Sequence, residues 1–140
     1  MDRRPIGVFD SGLGGLTAVA EIMRILPDEE IVYFGDTARV PYGTRSKDTI
    51  MRYVREDIDF LKSFDIKAVI MACGTASSVS LPQIADEYDV PVIGVVKPAS
   101  CAAVAATKNM KIGIIGTPAT IKRHHGVLHT EFSRQAYWSG

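Results

Sequence analysis

Cysteine, unbalanced charge and long apolar runs are all scarce in this chain, and each shortage removes a class of function. The two cysteines, Cys73 and Cys101, are too few for a disulfide framework and lack the paired spacing of a structural zinc site. A reducing compartment is therefore expected. Sixteen Lys plus Arg are matched by sixteen Asp plus Glu, so no global field draws the protein to phosphate backbones or anionic lipid. Nucleic acid is not the expected partner. The opening Met1-Asp-Arg-Arg-Pro-Ile6 is basic, but Asp10 and the glycines interrupt the apolar stretch a leader peptide needs, and no later run reaches membrane-spanning length. The expected location is the cytoplasm, with no membrane partner. Internal repeats, low-complexity tracts and blocks of like charge are also missing.

What remains is an ordinary globular composition of 140 residues, 46% apolar and 23% charged, about the size of one domain. Short β-branched runs alternate with segments of helical period, the pattern of βα units on a mostly parallel sheet. Strands are expected over 6–9, 31–34, 66–72, 90–96 and 111–115, several apolar on consecutive positions as two-sided burial requires. Helices fall between them. One over 16–26 is stopped by Pro27, and Ser46 caps another whose Ile50, Val54, Ile58 and Leu61 share a face. A third is expected over 78–88, interrupted at Pro82, while Pro98 and Pro118 suit the first turns of a fourth and a fifth, the last ending near Phe132. The fold class is α/β, a mostly parallel sheet with helices on both faces. Beyond the fifth helix, Ala136-Tyr-Trp-Ser-Gly140 stops where another strand would begin. An open sheet edge beside a bare aromatic pair calls for cover. A half-length chain, or a homo-oligomer covering that edge, is the expectation.

In an open parallel sheet the ligand crevice lies outside the carboxyl ends of the strands, so the residues just after each run are the informative ones. They are Asp10-Ser-Gly-Leu-Gly-Gly15 after the first strand, Gly35-Asp36 with Pro41-Tyr-Gly43 after the second, Cys73-Gly-Thr75 after the third, and Gly116-Thr117 after the fifth. Gly12, Gly14 and Gly15 fit either a tight turn with positive φ or a cradle of amides for an anion. The pair Gly12 and Gly14, with Asp36 ending the next strand, imitates a dinucleotide fingerprint. Thr17 replaces the third glycine, and Asp10 would repel a pyrophosphate. Cys73 ends a buried strand where the start of the following segment favours sulfur as an anion, so it reads as a base or nucleophile, or else as a small apolar core residue. Gly74, Thr75 and Ser77 beside it could hold a carboxylate. Cys101, set among alanines, reads as core packing. His125 and His129 share a helix face, but they lack a third ligand, so no metal is expected. Asp36, Asp57 and Asp59 form no carboxylate pair of assignable role, and most acidic residues are expected at the surface.

Taken together, Ile6-Gly-Val-Phe-Asp-Ser-Gly-Leu-Gly-Gly15, Gly35-Asp-Thr-Ala-Arg-Val-Pro-Tyr-Gly43 and Ala72-Cys-Gly-Thr-Ala76, in that order, resemble the glutamate racemase family of the aspartate/glutamate racemase superfamily. The similarity runs from Ile6 through the Gly116-Thr-Pro-Ala-Thr120 turn. It implies a two-lobed α/β enzyme that interconverts L- and D-glutamate without a cofactor, supplies D-glutamate for peptidoglycan, and uses two cysteines on opposite sides of the α-carbon. Carried over, the resemblance makes Cys73 a catalytic thiol and pairs Asp10 with Ser11 beside the reacting centre. It makes Tyr42, Gly43, Gly74, Thr75, Thr117 and Thr120 substrate-binding. Asp10 is then either partner to the substrate ammonium or helper in proton transfer. Two departures stand out. Gly74 occupies a position that is usually asparagine, and no Gly-Cys-Thr-His segment with the second cysteine follows. The resemblance divides the chain into a first lobe, 1–96, and the start of a second, 97–140. Weak or absent activity is expected, and the alternatives are a non-catalytic amino-acid binder or a related aspartate or hydantoin racemase.

Overall fold

The computed structural model describes residues 2–138, with side chains through residue 133. Strands and helices alternate as β1 (Ile6–Asp10), α1 (Leu16–Ile25), β2 (Ile31–Gly35), α2 (Lys47–Lys62), β3 (Ala68–Met71), α3 (Gly74–Val79), α4 (Leu81–Ile84), β4 (Val92–Gly94), α5 (Val96–Ala106) and α6 (Pro118–Trp138). A single 3-10 turn, Thr37–Arg39, interrupts the connection from β2 to α2. The strands form one parallel sheet in the order β2-β1-β3-β4.

Local chemistry explains most boundaries. Leu26 closes α1 through its N–H to the Ile22 carbonyl, and Pro27 ends it. Ser46 Oγ accepts the Thr49 N–H at 3.2 Å at the start of α2. That helix turns Ile50, Met51, Val54, Ile58 and Leu61 into the core against Phe9, Val69 and Met71. Val54, Ile58 and Leu61 are fully buried, each contributing about 1.5–3 kcal/mol relative to exposure. Pro118 opens α6, which packs on α3 and α5. The buried Ser100 Oγ on α5 meets His124 Nδ1 on α6 at 2.8 Å, so the small-residue stripe of α5 carries a polar fastening.

Three expectations are corrected. Residues 111–115 do not join the sheet. A strand exists only through its partner, and here Ile112 and Ile114 lie instead in a cleft with Ala103 and Leu128 of the α5–α6 pair, leaving Ile115 98% exposed. The third helix begins at Gly74 rather than 78 and breaks into α3 and α4. Ser77, Ser78 and Ser80 bond back to the carbonyls of Met71, Gly74 and Ala76, which shapes a short separate turn before Pro82. The last helix continues past Phe132 to Trp138. The expected bare pair Tyr137 and Trp138 lies outside the described side chains, as do Ser139 and Gly140 altogether.

The sheet order places the site. β2 is added on one side of β1 and β3 on the other, so the chain reverses its direction of growth between β1 and β3. Their carboxyl ends are level, with Ala72 N–H donating to the Phe9 carbonyl and Asp36 N–H to the Asp10 carbonyl, both at 2.8 Å. A crevice opens at such a reversal.

Candidate functional site

Cys73 and Asp10–Ser11 leave β3 and β1 side by side at that crevice. The Cys73 Sγ lies 3.3 Å from Ser11 Oγ and accepts the Ala76 N–H at 3.4 Å, capping α3. A thiolate only accepts, so ionised sulfur makes the Ser11 hydroxyl its donor. Cys73 is buried, with 6% of its surface exposed. Asp10 is buried too, and its Oδ2 accepts the Gly15 N–H at 2.8 Å.

The threonines form a chain of their own between the starts of α3 and α6. Thr75 Oγ1 lies 3.1 Å from Thr117 Oγ1, which lies 3.0 Å from Thr120 Oγ1. A Cβ on Gly74 would stand 3.5 Å from Thr120 Cγ2, and one on Gly43 only 2.6 Å from Thr117 Cγ2. Three loops and the start of α6 therefore converge, bringing Asp10, Ser11, Gly43, Cys73, Gly74, Thr75, Thr117 and Thr120 to one end of the sheet. Tyr42 is the exception. Its hydroxyl turns into the core toward Asp36 and Asp57.

The glycines earn their places by close approach rather than by unusual φ, since no glycine among the described residues has positive φ. A Cβ on Gly15 would come 2.8 Å from Asp10 Cβ and 2.9 Å from Ala72 Cβ. At Gly35 it would meet the Gly12 carbonyl oxygen at 2.5 Å, the same oxygen that accepts the Tyr33 hydroxyl at 3.0 Å. Gly35→Ala is accordingly expected to destabilise the fold by about 1–3 kcal/mol, the usual range for overpacking against structure that cannot yield. Urea unfolding measures it; a loss below about 0.5 kcal/mol would mean that the Ser11 loop gives way freely.

Sequence reasoning missed the polar cluster around Tyr42. Asp36 and Asp57, given no pairing or role from the sequence, are both buried. The residue that a dinucleotide reading would assign to a ribose is thus engaged inside the protein. Burial pushes the Tyr42 hydroxyl far above its ordinary range, with Asp36 and Asp57 adding to the effect. It also pushes the Asp57 carboxyl up to about 6. The one available signal was Asp57 itself, an acid on the apolar face that Ile50, Val54, Ile58 and Leu61 define. Cys101 is half-buried and lines a different cleft with Leu81, Ile93 and Lys97. His125 and His129 are both exposed on α6. No described helix is long and apolar enough to cross a membrane.

Comparison with known proteins is consistent across sequence and structure. The family model described as Asp/Glu/Hydantoin racemase matches residues 11–135. A glutamate racemase from Persephonella marina is 53% identical over 130 residues, covering 93% of this chain and 49% of that protein. Among solved structures, a glutamate racemase isoform of Bacillus anthracis superposes with a TM-score of 0.87 at 45% identity, covering 93% of this chain and 50% of that one. The Francisella tularensis glutamate racemase, solved in complex with D-glutamate, gives 0.80 at 42% identity, with 94% and 50% covered. The chain spans about half the length of the relatives it matches.

Proposed function

The chain belongs to the Asp/Glu/hydantoin racemase family, and from that membership we propose that it provides one catalytic face of a cofactor-independent glutamate racemase. The observation that carries this reading is the Ser11–Cys73 contact at the point where the sheet order reverses. Removing a proton from a carbon flanked by carboxylate and ammonium needs a base that can sit close to apolar surface without heavy hydration, and a thiolate does so more cheaply than a carboxylate. In this reading Cys73 Sγ takes the α-hydrogen of one enantiomer, and the Ser11 hydroxyl and Ala76 amide steady the sulfur while it is negative. Gly74, Thr75, Thr117, Thr120 and the Gly43 backbone receive the substrate carboxylates, and Asp10 takes the ammonium.

Inversion needs a donor on the opposite face. The second cysteine present in these 140 residues, Cys101, lines a separate cleft, so the chain alone supplies one thiol. We therefore assign it proton exchange with little inversion. The division into a first lobe over 1–96 and the start of a second over 97–140 belongs to the same proposal, with Thr117 and Thr120 as what the second part lends to the site. So do a cytoplasmic location and a role in supplying D-glutamate for peptidoglycan. A second copy covering the open sheet edge is the proposed protein partner, since among the described residues β2 and β4 each leave one side unpaired.

Protection from alkylation tests the site directly. Iodoacetamide is expected to label Cys73 at neutral pH and D-glutamate to slow that labelling in a saturable way, with Cys101 unaffected. Equal rates at Cys73 with and without glutamate would remove the substrate assignment.

A further inference from the structure

The Tyr42 cluster lies behind the site and takes no part in the chemistry above. The Tyr42 hydroxyl is 2.5 Å from Asp36 Oδ2 and 2.8 Å from Asp57 Oδ2. Arg39 spans the two acids, donating from Nε to Asp36 Oδ2 and from Nη2 to Asp57 Oδ1, both at 2.6 Å. Its Nη1 reaches Glu56, and the guanidinium lies 4.3 Å from the centre of the Tyr53 ring. A phenol carries one hydrogen, so it can donate to only one of two carboxylates. The other contact needs a proton of its own. Asp57, with no exposed side-chain surface, is the better keeper. The arrangement then reads as an Asp57 acid donating to Tyr42, Tyr42 donating to the Asp36 carboxylate, and Arg39 balancing that one negative charge. Losing the proton would put a second negative charge into the buried space.

Gly43 follows Tyr42 directly and abuts Thr117, so the torsions that seat the phenol also seat the Gly43 backbone. We propose that Arg39, Asp36 and Asp57 are positioning residues, which act through the Tyr42 hydroxyl to hold the Gly43 backbone against Thr117 while the cluster keeps one shared proton. The importance of this latch for glutamate rests on the function proposed above; the latch itself does not.

The groups facing Asp57 are few. Asp36, Arg39 and Tyr42 come from the connection between β2 and α2, and Glu56 from its own helix. Of the elements packed on α2, α3 carries no ionisable side chain. In β2, Tyr33 donates to Gly12, and in β1 Asp10 is bonded to Gly15.

The test follows the amide resonances of Gly43 and Thr117 in the ¹⁵N-labelled chain from acid to mildly alkaline pH. Both are expected to titrate together with a midpoint near 6. Asp57→Asn keeps an acceptor for Arg39 and a donor for Tyr42, and is expected to hold both resonances near their low-pH wild-type positions throughout. Asp57→Leu offers neither group and should displace them. Should it fail to fold, Tyr42→Phe, which keeps the ring and drops the hydroxyl, is expected to uncouple Gly43 from the titration. Resonances that do not titrate in the wild type, or titrate unchanged in Asp57→Asn, would overturn the proposal. Calorimetry with D-glutamate at pH 5, where the cluster holds its proton, separates the two readings. A loss of about tenfold or more in affinity for Tyr42→Phe, with Asp57→Asn close to wild type, supports both; no heat from the wild type, with the titration intact, sinks the substrate assignment and leaves the latch standing.

Discussion

Replacing Cys73 by alanine is expected to cut the exchange of glutamate's α-hydrogen for deuterium by about 10²–10⁴-fold, the range a positioned base contributes. The measurement is proton NMR of L- and D-glutamate incubated separately with the chain in deuterated water. Wild-type chain should wash deuterium into one enantiomer faster than into the other, because the 3.3 Å Ser11 contact and the Ala76 amide fix the sulfur on one side of the crevice. Configuration should be largely retained, since a proton lost to one base returns from the same side. Cys101→Ala is the control. Its sulfur borders Leu81, Ile93 and Lys97 in another cleft, and exchange should be unchanged. Exchange that survives Cys73→Ala would remove the thiol from the chemistry, and efficient inversion by the wild type would show that a second acid is at hand.

Arg39→Ala is expected to lower stability by about 3–5 kcal/mol, the cost of leaving buried acids without their cation. The guanidinium bonds Asp36 and Asp57 together, and neither can turn to water. The deficit should depend on pH. Asp57 has its folded value raised to about 6 from 3.8, so its protonated form stabilises the fold fully below the lower figure, and that contribution fades as pH rises through the upper one. Without Arg39 to offset the charge, the loss at neutral pH should exceed the loss near pH 4. Urea titrations at the two pH values measure both. A uniform loss below about 1 kcal/mol would mean that the ion pairs are loose and solvated.

The parts of this fold legible in the chain are those decided by neighbours in sequence. Pro27, Ser46 and Pro118 mark helix ends because capping and ring geometry act within one turn, and β1 to β3 announce themselves by consecutive apolar residues. Residues 111–115 carry the same signal as β4 yet pair with nothing, because a strand is completed by a partner that the segment itself does not specify. Most of the candidate site was legible for a similar reason. Asp10–Ser11 and Cys73–Thr75 follow strands directly, and a parallel sheet brings strand ends level whatever the loops do. The Asp36–Asp57 pairing was not. It joins residues 21 positions apart through a tyrosine, and composition makes an acid at the surface the safer reading. Its one trace, an aspartate one residue before Ile58 on a buried stripe, has meaning only once Arg39 and Tyr42 are known to reach it.

α1 alone among the α-helices of the described residues buries none of its own side chains; Leu16, Met23 and Ile25 all face outward. Segments so thinly anchored open at the lowest free energies in a molecule. The Asp10 carboxylate is moored to the amide at that helix's threshold, Gly15, whereas the sulfur is pinned between β3 and the turn that follows it. Asp10 itself stays in β1, between β2 and β3, so an opening of α1 would cost the carboxylate its Gly15 amide and leave both contacts of the thiol in place.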